Sequence, residues 1–419
     1  MRTFLQLVLD VVCIKYWRTH TEQIFPATTL TFHEARMDFE LPDELKLLKE
    51  NLRKFVDREL IPLEREVVGD IRLQKELPKK LRPKVDELGL WNYDVPEEFG
   101  GLGLGMMAKV IVWSEVSRTT ALPSRALSIF GFPVSPILYT LTGRARDEYL
   151  MPVIRGEKTS CFAQTEADAG SDPAAMRTRA VRDGDDYVIN GVKRFITGAD
   201  EADFTQVFTV TDPEKRARGG ITGFLVDMNT PGVKVSASYD LMVDDKPCEI
   251  VFDNVRVPAW KRIGNEGDGF RHAQSWLNSG RIRHGARSLG IMERCFDLGS
   301  AYAKQRKTFG AYLAERQSVQ WPLTEIYMDA HKLRLMLYHA AWKADRGEDC
   351  REVAFMVKIF GDEQSFQAAN RCMQIHGGMG LSKELPIERF FRDQRSMMIT
   401  EGAVEVLRMA LARMILGIK

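Results

Sequence analysis

Apolar residues recur along this chain at two spacings, and the change of spacing divides it into three. From residue 41 to about 155 the repeat is helical. Leu45, Leu48, Leu52, Phe55 and Val56 fall on one face of a helix predicted over Asp43–Glu59. Pro62, Pro78 and Pro83 predict turns, and a glycine-rich loop, Val95–Gly105, leads into a helix over Met107–Ser117. From Ser160 the apolar runs shorten and fill with β-branched and aromatic residues. They are Tyr187–Ile189, Lys193–Ile196, Phe204–Val210, Ile221–Val226, Val233–Ala237 and Cys248–Val257. Asn190-Gly191 between the first two predicts a tight hairpin turn, and about six such strands predict a β-barrel or sandwich. That region closes near Gly264–Phe270. Helical stripes then return at Leu289, Met292, Phe296, Gly299 and Ala303, at Leu323, Ile326, Ala330, Leu333, Leu337 and Ala340, over Val353–Met373, and over Val404–Leu416. Four such helices predict a bundle.

The expected fold is therefore α+β and multidomain. Its parts are a helical domain over 37–157, a β domain over 158–269 and a four-helix bundle over 270–419. Residues 1–36 fall outside these patterns. Phe4–Ile14 is apolar, but Asp10 interrupts it and it is too short to span a bilayer. It lacks a signal-peptide cleavage site, and it is too acidic and poor in Ser for a mitochondrial presequence. We read it as an unordered extension ahead of a natural start at Met37. The expected compartment is the bacterial cytoplasm, with the mitochondrial matrix second, and no integral membrane association is expected.

Composition narrows the function classes. At 44% hydrophobic, 28% charged and net +1, the chain has the balance of an ordinary globular protein, without the basic excess of a nucleic-acid binder. Six cysteines without CxxC spacing and seven histidines without an HxxxH pair indicate neither a metal nor a disulfide framework.

Four stretches could carry chemistry, and each also has a bland reading. Glu401, between Thr400 and Gly402, follows an expected charged turn at Arg392–Arg395 and precedes the last helix; it could point into a cavity, although a glutamate there more often complements a helix dipole. Cys161–Asp172 gathers small, hydroxyl and backbone-donor residues that could line a flat heteroaromatic ring. Arg306–Gly310 closes a long helix with a cation, which either steadies that helix end or holds a phosphate. Gln374–Gly380 reads locally as a glycine cap. The loop Gly101-Leu102-Gly103-Leu104-Gly105 looks like a dinucleotide fingerprint, but no strand precedes it as that motif requires.

Taken together and in this order, the motifs resemble the acyl-CoA dehydrogenase family. They are Pro96–Gly103, Thr165-Glu166 with Ala169–Asp172, Asn190–Thr197, Arg306–Gly310, Gln374 with Gly377-Gly378, and Glu401-Gly402, spread from about Asp38 to Arg413. The resemblance implies FAD, with its ring between the β domain and the bundle. On this match Phe162, Thr165, Gly170 and Ser171 line the ring, and Phe195 and Thr197 pack beside it. Arg306, Phe309, Gln317, Gln374, Gly377 and Gly378 would grip the pyrophosphate and adenosine of a neighbouring subunit's FAD, which implies a homodimer or homotetramer. Two positions after the base depart from the pattern. Ala403 stands where Thr is common and Glu405 where Gln is frequent, so the FAD contacts expected there are altered.

The implied reaction converts an acyl-CoA to its trans-2-enoyl-CoA, with Glu401 as the base and electron-transfer flavoprotein as the electron acceptor. Hydrogen bonds to the thioester oxygen from the flavin ribityl chain and from the Glu401 N–H would stabilise the enolate. Desolvation by the acyl chain would strengthen the base. Some family members carry the base on the first bundle helix, but Leu277–Arg281 holds no acid here. Arg281, Asn278 and Ser171 are expected near the CoA arm, and Asn278 replaces a common Asp. Gly402 gives the thioester room. Thr400, smaller than the frequent Tyr, hints at tolerance for branched or bulky acyl groups. An acyl-CoA oxidase, a flavin monooxygenase and a non-catalytic flavoprotein scaffold are the alternatives. The oxidase usually adds a C-terminal domain, the monooxygenase normally lacks the acid, and a scaffold predicts a lost base.

Overall fold

A computed structural model describes residues 40–67, 69–123 and 129–418, so the expected extension and the Met37 start lie outside the described residues. The first region is helical. Helix α1 (Asp43–Phe55) has acids in its first turn and Arg53 and Lys54 in its last, as the helix dipole favours. Helix α2 (Ile71–Lys80) is capped by the Asp70 side chain, which accepts from the N–H groups of Arg72 and Leu73. Pro78, expected at a turn, lies inside α2. It occupies the last turn, where the missing donor costs a single bond and the helix ends two residues later. Helix α3 (Met106–Val116) is buried on nearly every side. Its one acid, Glu115, is bonded by Arg53 at 2.7 Å, and Arg53 also bonds Glu293 of the bundle. Among the described residues no strand precedes the glycine-rich loop.

The β region holds strands β1 (Ser160–Ala163), β2 (Arg179–Asp183), β3 (Asp186–Ile196), β4 (Phe204–Val210), β5 (Ile221–Asp227), β6 (Val233–Ser238), β7 (Cys248–Pro258) and β8 (Arg262–Ile263). They form one sheet in the order β6-β7-β3-β2-β4-β5-β8, with β1 added parallel to β4. The sheet stays open and does not close into a barrel. One core cluster (Ile189, Val207, Phe224, Ile250) lies within the sheet region. A second (Phe204, Phe208, Ile221, Leu225) joins it to Ile137–Ile154 of the first region and to Ala273.

The hairpin expected at Asn190-Gly191 is not there. Those residues lie inside the single strand β3, at a register shift against β7. A side chain at Gly191 would overlap Thr178, so this glycine marks a close approach of two chains and not a reversal. The reversal falls at Gly184-Asp185, where β2 meets β3 with Asp183 opposite Asp186 and Gly184 has φ +63°.

The last region contains α4 (Gly269–Gln305), α5 (Gln317–Asp345), α6 (Arg351–His376), α7 (Ile387–Met397) and α8 (Val404–Leu416). The predicted stripes are buried at Leu289, Met292 and Ala303 and at Ile326, Ala330, Leu333, Leu337 and Ala340. Arg392–Arg395, expected as a charged turn, belongs to α7. Arg392 bonds Glu388 one helical turn away, while Asp393 and Gln394 point into the core. Helix α8 buries Val404 and Leu407 and leaves Met409, Met414, Ile415 and Leu416 exposed. Among the described residues no helix is long and apolar enough to cross a membrane.

Candidate active site

Glu401 sits in the turn between α7 and α8, outside the last helix. Its φ of +55° is followed by +99° at Gly402, and Glu405 is the acid in the first turn of α8. A left-handed glutamate is strained unless its surroundings hold it there. Lys358 of α6 does so, donating to the carbonyls of Met397 (3.0 Å) and Gly402 (2.8 Å) on the two sides of the turn. Lys358 is itself paired with Asp362 at 3.0 Å, both fully buried.

The carboxylate of Glu401 lies against α4. A side chain at Gly280 would overlap its Oε2, so only glycine leaves that space. Arg283 Nη2 donates to Oε1 at 3.1 Å, and His284 Nε2 stands 3.5 Å from the same oxygen. The other ring nitrogen of His284 is 3.2 Å from Asp362, which also accepts from Ser288 at 3.2 Å. Gly280, Arg283 and His284 share one helix face through i, i+3, i+4 spacing. Arg281 is buried over the Phe355 ring at 4.8 Å. Burial pulls its guanidinium down to about 10, against the pull of Glu401. Thr400 donates weakly to the Met397 sulfur. From the first region, Tyr93 and Asp94 lie close enough to feel the charge of Arg283, and burial pushes both of them up.

The other predicted ring-side residues lie in the sheet region. Lys193 on β3 is 0% exposed and donates to the Gln164 carbonyl (2.9 Å) and to Glu166 (2.8 Å). Glu166 also accepts from the N–H groups of Arg177 (2.6 Å) and Thr178 (3.0 Å). Burial pulls Lys193 down to about 8. Burial pushes Glu166 up, but Lys193 and those donors outweigh it and hold the carboxyl below its usual range. This pair fixes the segment that carries Thr165, whose carbonyl accepts from the Arg194 N–H at 2.8 Å. Phe195 follows with φ +56°, half-exposed and 4.8 Å from the Tyr239 ring. Thr197 donates to Asp245 at 3.1 Å, and Gly170 and Ser171 are exposed. Phe162 stacks on Trp276 of α4 at 4.3 Å, within 8° of parallel.

The remaining predicted cofactor residues gather elsewhere. Arg306 follows α4, Gln317 opens α5, Gln374 lies in the last turn of α6, and Gly377 and Gly378 come directly after that helix. His376 stacking on Tyr302 at 4.4 Å shows that the ends of α4 and α6 meet. Phe309, on a two-stranded ribbon (Lys307–Thr308 with Ala311–Tyr312), is 99% exposed at φ +49°. A cleft of about 590 Å³ is lined by Gln317, Trp321 and Arg371. Helical rise puts Arg306 about 39 Å along α4 from Gly280. The two groups of residues are not brought together within one chain.

The sequence matches the acyl-CoA dehydrogenase models over their N-terminal domain (42–157), middle domain (161–255) and C-terminal domain (267–416). The chain belongs to the acyl-CoA dehydrogenase family. It is 37% identical to a 3-(aryl)acrylate reductase of Clostridium sporogenes, over 88% of this chain and 98% of that one. It is 36% identical to the (R)-benzylsuccinyl-CoA dehydrogenase of Thauera aromatica, over 91% and 97%. The structure of butyryl-CoA dehydrogenase from Megasphaera elsdenii matches with a TM-score of 0.81 at 30% identity, over 91% of this chain and all of the other. The protein is an oxidoreductase of this family, and the family's cofactor is FAD. The residues present fit that group. A half-exposed aromatic face at Phe195 stands with hydroxyls at Thr165, Ser171 and Thr197, and the buried Gln164 amide nitrogen has no hydrogen-bond partner.

Sequence reasoning missed Lys193, Trp276, Arg283, His284, Lys358 and Asp362. Each acts through a contact made by folding, and the Arg283–Glu401 pair spans 118 positions. None carried a local sign, since Arg283 and His284 lie in a stretch of α4 already rich in polar residues, with Arg281, Arg287 and Ser288 close by. Of the expected CoA contacts, Arg281 lies beside Glu401, and the side chain of Asn278 lies outside the described residues.

Proposed function

We propose that this enzyme removes the α proton of an acyl-CoA thioester with Glu401 and yields the trans-2-enoyl-CoA. The observation that carries the reading is the Glu401 carboxylate, held in a left-handed turn over Gly280 and beside Arg281. FAD, when bound, accepts the β-hydrogen as hydride. The protein's part is positional and electrostatic. The Lys358 clamp keeps the turn open, so that the Glu401 N–H can face the thioester oxygen as the enolate charge develops. Closure of the site by an acyl chain removes water from the carboxylate and strengthens it as a base. Arg281 and Ser171 hold the CoA arm. Ala403 and Glu405, at the start of α8, would contact the cofactor on this side. Because Arg306 lies about 39 Å along the α4 direction from Gly280, with Phe309, Gln317, Gln374, Gly377 and Gly378 on the segments that follow α4 and at the end of α6, these residues would grip the FAD of a neighbouring subunit, in a homodimer or homotetramer. Electrons leave to electron-transfer flavoprotein. Thr400 and relatives named for aryl substrates favour a bulky acyl group.

The test is anaerobic titration of the FAD-loaded protein with a panel of acyl-CoAs, following bleaching of the oxidised flavin in wild type and Glu401→Gln. Bleaching of wild type alone supports the reading. No bleaching by any thioester, or equal bleaching of both, ends it.

A further inference from the structure

In the resting chain Glu401 is bonded to Arg283, and a carboxylate held by a guanidinium is a reluctant base, because its charged form is the one stabilised. Catalysis needs that bond released. The groups around Glu401 differ in their freedom to release it. His284 is 2% exposed and packed against Asp362; Lys358 is committed to two carbonyls and Asp362; Arg281 is buried against Phe355. Arg283 is different. Its side chain is 36% exposed, against 18% for Glu401, and it reaches the base from the side of Tyr93 and Asp94 in the first region. Lys109 also lies there, donating to the Asp94 carbonyl at 3.3 Å.

We propose that Arg283 receives a carboxylate carried by the acyl group of the substrate, and that docking of this carboxylate draws the guanidinium away from Glu401. The inference rests on the dehydrogenation reading and specifies its substrate class. An apolar acyl chain gives the guanidinium nothing in exchange for Glu401, whereas a carboxylate offers two oxygens in the planar geometry a guanidinium matches. The distance sets where that carboxylate sits. Glu401 must touch the α C–H, and Arg283 is 3.1 Å from Glu401. The second carboxylate therefore lies within a few carbons of the reacting pair, as in a short dicarboxylic acyl-CoA or one with a carboxymethyl branch, and not at the far end of a long chain. Arg283 is in these terms a specificity residue, and Glu401 remains the catalytic one.

The experiment compares matched ligands on the full FAD-loaded chain, in wild type, Arg283→Met and Arg283→Lys. Binding is read by calorimetry with two CoA thioethers that have no carbonyl and cannot react, S-(4-carboxybutyl)-CoA and S-pentyl-CoA. Flavin bleaching is read with glutaryl-CoA, its neutral methyl ester and pentanoyl-CoA. The expected result is a preference of about 10²-fold for the carboxylate in both readouts, the size of one charge-assisted contact. Arg283→Met should abolish the preference and speed bleaching by pentanoyl-CoA several-fold, since the base is no longer paired. Arg283→Lys should restore part of the preference, which separates a lost receptor from a damaged fold. Equal binding of the thioethers together with equal bleaching by all three thioesters overturns the inference and leaves the dehydrogenation reading standing. No bleaching by any thioester overturns that reading, and this inference falls with it.

Discussion

Two glutamates, one held in the sheet region and one beside the bundle, differ in the partners that hold them. Glu166, on the sheet side, is bonded by Lys193 and by the N–H groups of Arg177 and Thr178, with the lysine wholly buried. Glu401, on the bundle side, is bonded by an arginine that still touches solvent. A carboxylate whose cation cannot leave is a structural tie. One whose cation can leave is available for chemistry. The contrast lies in the partner's freedom, since both acids are largely buried and both have a positive neighbour.

The sharpest break of this contrast is Glu401→Gln. Loss of a general base should slow flavin reduction by roughly 10²–10⁴-fold, with FAD content and melting temperature close to wild type, as read by anaerobic stopped flow and thermal denaturation. The converse lesion, Lys193→Met, should act on stability. Removing one member of a buried pair strands the other, at a cost of about 3–5 kcal/mol. Chemical denaturation should show that loss, FAD should be retained poorly, and adding Glu166→Gln should return a large part of it. Gly280→Ala probes the space over Glu401. The methyl group must displace the carboxylate, so turnover should fall by about 10²-fold through misplacement of the base. Stability should hold, because alanine favours the helix.

A further effect is in pH. Lys193 titrates near 8 in the fold, against 10.5 ordinarily. Between those values the unfolded chain binds the extra proton, so stability should rise with pH. Below about 8 the burial cost is fully present. Denaturation of wild type against Lys193→Met from pH 7 to 10.5 reads this slope, and a flat difference would mean the amine is not buried as described.

Much of the architecture could be read from spacing because helix stripes are local signals. Ile326, Ala330, Leu333 and Leu337 recur on one face whatever they pack against, and all are buried. The errors arose where a local sign had two physical causes. Gly191 could serve a reversal or a close approach, and Thr178, which decides between them, lies 13 positions away. The run Arg392–Arg395 could be a solvated turn or a helix with polar residues in its core, and only the packing of α7 shows the second. Glu401 stood out through the ordered set of motifs. Its clamp at Lys358 did not, because a lysine among apolar residues on α6 carries no sign of whose carbonyls it will find. Arg283 was silent for the same reason.

The space above Gly280 also bears on ancestry. A side chain grown from position 280 would enter the volume that the Glu401 carboxylate now fills, so one acid can be delivered to that spot from either of two places in the chain. On the proposed role of Glu401, an acid at position 280 would bring its oxygens to the volume that Glu401 fills. The path between the two arrangements is rugged. Gaining the helix acid first crowds two carboxylates into one volume, and losing Glu401 first leaves none. On that reading each substitution should be harmful alone and tolerated only with the other, which would make the choice hard to reverse.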